Sequence, residues 1–110
     1  MEIHTRAGSG YTVLACEGRL TMTTAGRLRE AVDTAVRDGD PRVVVDLGAT
    51  TFVDSSGLGA LVGGLRAART AGGDLRIAAP NDQVGSVLAL TNLDRVLTPH
   101  PDVEAAARGW

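Results

Sequence analysis

Aromatic residues are nearly absent from this chain: Tyr11, Phe52 and Trp110 are the only three among 110 residues. A core without rings is built from Val, Leu, Ile and Ala, and a chain of this length has room for one modest core. Cysteine is scarcer still. Cys16 stands alone, which excludes an internal disulfide and, with it, a stapled secreted scaffold. An excess of positive charge is missing too. A net charge of -2 leaves no electrostatic footprint for nucleic acid or anionic lipid. No apolar run approaches the roughly 20 residues of a membrane span. The opening Met1-Glu2-Ile3-His4-Thr5-Arg6 lacks the basic start and apolar stretch of a signal peptide. The expectation is a soluble, cytoplasmic, single-domain protein over residues 1–110.

Catalytic machinery is equally thin. A serine nucleophile needs a base, and only His4 and His100 are available, one on an edge strand and one between prolines. No Cys/His cluster exists to hold a metal, and Asp94, Asp102 and Glu104 read as caps and solvated faces. The glycines of Gly57-Leu58-Gly59-Ala60-Leu61-Val62-Gly63 are spaced one residue too long for a dinucleotide fingerprint, and no acid ends the next strand. The chain reads as neither an enzyme nor a cofactor or metal carrier.

What is present is a regular alternation of strand and helix patterns. Glu2 to Arg6 and Tyr11 to Glu17 predict a hairpin around Ala7-Gly8-Ser9-Gly10, with Gly18 ending it. Cys16, on the second strand, reads as buried and inert. Thr21, Thr23 and Thr24 are candidate caps for a helix whose stripe is Ala25, Leu28, Val32, Ala35 and Val36; Gly39 and Pro41 stop it. Arg42 to Leu47 holds three consecutive valines, the mark of a strand buried on both faces. A helix follows from about Ser55 to Ala71, ended by Gly72-Gly73. A strand at Leu75 to Ala79, a helix at Asp82 to Thr91, a short strand at Asp94 to Leu97 and a last helix at Val103 to Arg108 complete the chain. Pro99 to Asp102 reads as a turn, Gly109-Trp110 as a frayed end, and Arg66, Arg69 and Arg76 as a solvated face. The order β-β-α-β-α-β-α-β-α implies an α/β fold: a mixed, mostly parallel sheet with an antiparallel hairpin at its start.

The most informative stretch is Thr51-Phe52-Val53-Asp54-Ser55-Ser56-Gly57-Leu58-Gly59. It sits where a strand's exit loop becomes a helix start, with free N–H groups and a positive dipole end. Asp54 is placed to cap. Ser55 and Ser56 fall in the first turn, and Gly57, Gly59, Gly63 and Gly64 lighten the helix at a cost of roughly 1 kcal/mol each. Two readings follow. The residues form a good cap and a helix that packs closely on the sheet; or they form a flat docking surface with a serine at its centre. A phosphate there would add about -1.5 to -2 charges and would block a partner packed over it.

Asp54-Ser55-Ser56-Gly57-Leu58-Gly59 after Val43-Val44-Val45-Asp46-Leu47 resembles the core signature of STAS domains, the family of bacterial anti-sigma factor antagonists. The likeness runs on through Ala71-Gly72-Gly73, Pro80 and Leu90-Thr91-Asn92-Leu93-Asp94. The resemblance implies phosphorylation at Ser55, with Ser56 as the fallback, and a partner surface of Asp54, Ser55, Ser56, Gly57, Gly59, Arg19 and Thr21. It implies as partner an anti-sigma factor with a histidine-kinase-type ATPase fold that phosphorylates serine. Sequestering it frees a sigma factor, and a PPM-type phosphatase resets the switch. Many members carry Gly-Glu-Leu-Asp where this chain has Gly18-Arg19-Leu20-Thr21, which replaces two acids on the rim by a cation and a hydroxyl. The alternative from the same resemblance is a non-phosphorylated scaffold subunit of a transporter or stress-signalling complex.

Overall fold

The computed structural model describes residues 1–110. Two strands open the chain, β1 (Glu2–Ala7) and β2 (Thr12–Leu20), paired antiparallel from Glu2↔Glu17 to Ala7↔Thr12. Helix α1 (Ala25–Asp38), strands β3 (Arg42–Asp46) and β4 (Thr50–Val53), helix α2 (Ser55–Thr70), strand β5 (Asp74–Ala78), helix α3 (Asp82–Leu90), a 3-10 turn (Leu93–Arg95), strand β6 (Pro99–His100) and helix α4 (Val103–Ala106) follow. The sheet order is β1-β2-β3-β5-β6, with β4 paired to β2 off that path. All pairings after the hairpin are parallel.

Three differences from the sequence expectation concern where strands end and where short strands form. Gly18 does not end β2. It bends it, with φ +104 and a shift in pairing register, so that β2 serves β3 with its first half and β4 with its last residues. Thr50–Val53 is therefore a strand where the sequence suggested only a loop. Near the C-terminus, Asp94–Leu97 is not a strand; its first residues belong to the 3-10 turn, and the expected turn Pro99-His100 supplies the pairing with Ile77 and Ala78 instead. Strands this short are defined by their neighbours rather than by their own residues.

One sheet face meets α1, α2 and α3 in a 20-residue aliphatic cluster that includes Leu14, Val43, Val45, Leu61, Leu65 and Ile77. The other face is thin: Val13, Val44, Ala78, Ala106 and Ala107, with Tyr11, Val103 and Trp110 packed around them. All three valines of β3 are fully buried, one pair toward the first cluster and Val44 toward the second, as a two-sided strand requires. Trp110 is not frayed. Arg76 lies 4.0 Å over its ring, and the Arg76 guanidinium donates to the Ala106 and Arg108 carbonyls at 2.8 and 3.0 Å. Arg76 is thus a clamp on the thin face rather than part of a solvated face, although it lines one cleft with Arg69 of α2.

Candidate functional site

The signature forms one junction where β2, β4 and α2 meet. A tight turn carries β3 into β4: the Asp46 carboxylate accepts from Gly48 N–H at 2.9 Å, and the buried Thr50 hydroxyl donates to the Cys16 carbonyl at 2.7 Å. β4 then delivers Asp54 as the cap of α2, in extended conformation. One Asp54 oxygen accepts from Gly57 N–H at 2.9 Å, and the other from Met22 N–H at 3.2 Å. The aspartate therefore does two things: it caps α2 and ties the β2–α1 loop to the helix start.

Ser55 is the first helical residue and is exposed, whereas Ser56 is half-buried. The first intrahelical bond runs from Leu58 N–H to Asp54 O, which leaves the Ser55 and Ser56 N–H groups open at the positive end of the helix dipole. The four glycines of α2 divide. At Gly57 a Cβ would collide with the Leu20 carbonyl and lie 2.9 Å from Leu20 Cγ; at Gly64 it would press on Leu75 and Val32 at 3.1 and 3.2 Å; at Gly63 it would displace the Arg29 guanidinium. These three make room for the chain's own β2, β5 and α1. Only Gly59, with nothing within 4 Å, faces open space. The close approach expected at Gly57 is internal.

The rim is built by the β2–α1 loop. Thr24 occupies the cap position of α1 yet makes no cap bond. Its hydroxyl turns back to donate to Arg19 O at 2.7 Å and to accept from Thr21 N–H at 2.9 Å. Thr21 and Thr23 bond each other through their hydroxyls at 3.2 Å. The loop is thereby closed on itself, and Met22 is left 76% exposed beside Asp54. A single apolar residue among three threonines was the available signal for it. Arg19 is not loose: its guanidinium lies 4.9 Å over the Phe52 ring. The outer edge of β4 is closed by side-chain amides, a feature that no local pattern announces. Gln83 accepts from Val53 N–H at 3.1 Å and donates to Val53 O at 3.2 Å, and Asn81 donates to the Thr50 and Thr51 carbonyls.

The remaining candidates lie elsewhere. His4 and His100 stand on the two outermost strands of the sheet, β1 and β6. Burial, reinforced by the Asp46 charge, pushes the Cys16 thiol up to about 12, so it stays protonated and unreactive at neutral pH. No helix is long and apolar enough to cross a membrane.

Comparison with known proteins supports the fold and the family. The family model described as Mlab, STAS domain, matches residues 3–99. A Thermotoga maritima protein, assigned provisionally as an anti-sigma factor antagonist, is 31% identical over 74 residues, spanning 67% of this chain and 66% of that one. The anti-sigma-B factor antagonist of Staphylococcus aureus is 28% identical over 93 residues, 84% of this chain and 86% of the other. The crystal structure of an anti-sigma factor antagonist from Mycobacterium paratuberculosis superposes with a TM-score of 0.85 at 27% identity, covering 96% of this chain and 89% of that one.

Proposed function

The chain belongs to the STAS domain family, and from that premise we propose that it is a cytoplasmic anti-sigma factor antagonist switched by phosphorylation at Ser55. The observation that carries this reading is the exposed Ser55 hydroxyl at the first position of α2, beside a carboxylate already engaged by Met22 and Gly57. Because both Asp54 oxygens are held, the loop and the helix start form one rigid platform. The partner, an anti-sigma factor with a histidine-kinase-type ATPase fold, covers that platform. Met22 supplies an apolar contact, Gly59 leaves a gap in the helix surface, and Arg19 and Thr21 set the rim. ATP belongs to the partner.

Phosphorylation acts in two ways. The phosphate is stabilised locally by the open Ser55 and Ser56 N–H groups. It also places about two negative charges and three hydrated oxygens where the partner must pack. A few kcal/mol of desolvation and repulsion is a hundredfold or more in affinity. A PPM-type phosphatase reverses the change.

The test is incubation with the cognate kinase and ATP, followed by intact mass and site mapping. One phosphate is expected on the parent chain and on Ser56→Ala, and none on Ser55→Ala. Phosphate that persists in Ser55→Ala and disappears in Ser56→Ala would move the switch to Ser56. Absence of any phosphate, together with equal partner affinity for Ser55→Asp and Ser55→Ala, would favour the non-phosphorylated scaffold, for which the basic Arg19–Phe52 rim is the supporting observation.

A further inference from the structure

The sheet has four stretches of open edge, and three of them are guarded. β6 is two residues long and begins with a proline. The edge of β4 is filled by the Asn81 and Gln83 amides. β5 is uncovered over Asp74–Arg76, where β6 does not reach, but Arg69, Arg95 and Arg108 line the cleft beside it. β1 carries charges of both signs, Glu2, His4 and Arg6, but nothing covers or blocks its edge. It is six residues long, without proline or bulge, and the outward backbone groups of residues 2–7 find no partner in the chain. Unguarded edges of this kind are templates for another strand. Beside it a groove of about 850 Å³ runs between β1 and α1, lined by Ile3, Ala31 and Ala35 with Arg27, Glu30 and Asp38.

We propose that β1 pairs antiparallel with β1 of a second copy of this chain, about a twofold axis at His4. Glu2, His4 and Arg6 alternate on one face of β1. An axis at His4 sets Glu2 of each copy opposite Arg6 of the other. The helix layer has the reverse polarity and the same symmetry. α1 runs in the direction of β1: Arg27 donates to the Met1 carbonyl at 2.8 Å, and the far end of the helix leads to Asp40, whose N–H bonds Thr12, the pairing partner of Ala7. Arg27 therefore lies at the Glu2 end and Asp38 at the Ala7 end, and the same axis turns each toward the other's counterpart in the second helix. Strand and helix are both self-complementary about one axis, which is what a second copy supplies and a foreign strand does not. Neighbouring registers lose this property. Centring on Thr5 sets His4 against Arg6, and centring on Ile3 leaves Arg6 unopposed. Ser55 takes no part, so the pairing stands independently of the phosphorylation switch.

Sedimentation equilibrium of the full chain at low salt, from about 10 μM to about 1 mM, should show a monomer–dimer equilibrium. Glu2→Arg and Arg6→Glu each place like charges opposite one another twice, and each should weaken the dimer roughly tenfold or more. The double variant Glu2→Arg/Arg6→Glu re-forms both pairs and should restore it. Both residues are exposed, and circular dichroism of each variant verifies that the fold is kept. A monomer throughout the range, single variants that dimerise like the parent, or a double variant as weak as the singles would each overturn the proposal.

Discussion

At Gly57 one methyl group separates a functional glycine from a packing glycine. A Cβ there meets the Leu20 carbonyl, Leu20 Cγ and Val53 Cγ1, so Gly57→Ala is expected to destabilise the fold by about 1–3 kcal/mol through overpacking. Gly59→Ala meets nothing and replaces the helix's poorest ordinary residue by its best. It should hold or raise stability by up to about 1 kcal/mol, and should weaken capture of the proposed kinase partner. Urea unfolding of the pair measures the difference; equal midpoints would refute the division of roles. The glycines themselves were plain in the sequence. Which of them served the inside was not, because that depends on β2 passing over the start of α2.

Among the elements, β4 depends most on others. Its inner edge pairs with the last residues of β2, and its outer edge has no strand, only the amides of α3's first turn. Gln83→Leu keeps the bulk but removes both bonds to the backbone of buried Val53, and a loss of about 1–3 kcal/mol is expected for groups left unpaired. Thermal denaturation reads the loss, and amide exchange should be fastest at Val53. If the variant melts with the parent and Val53 stays protected, the amide pairing contributes nothing. The sequence marked Asp82 as a helix start, and Asn81 caps α3 by accepting from Val84 N–H at 2.9 Å. The second use of that turn, as a surrogate strand, has no local signature, since its acceptors lie about thirty residues away.

The whole molecule is lopsided, with a deep aliphatic cluster on one face of the sheet and a thin one closed by α4 and Trp110 on the other. Cys16 sits in the deep cluster, and its thiol is raised from 9.0 to about 12 by burial, with Asp46 adding to it. The folded state keeps a proton that the unfolded chain releases. The stabilising contribution is therefore complete below pH 9 and is lost as pH rises toward about 12. The chain has no lysine, which removes the commonest titrating side chain from that window. Unfolding free energies measured across it should fall for the parent and fall less for Cys16→Ala; parallel slopes would show that the thiol is not the group responsible.

By itself the sequence determined the fold class, the three long helices, the two-sided valine strand and the signature at a strand-to-helix junction. All of these rest on periodicity and capping within a few residues. The tertiary structure alone decided that Thr50–Val53 is a strand, that Pro99-His100 closes the sheet edge in place of Asp94–Leu97, that three of four glycines face inward, and that Trp110 is clamped by Arg76. A two- or four-residue strand exists only once a neighbour supplies its hydrogen bonds, and a glycine acquires its purpose only from the backbone that crosses it.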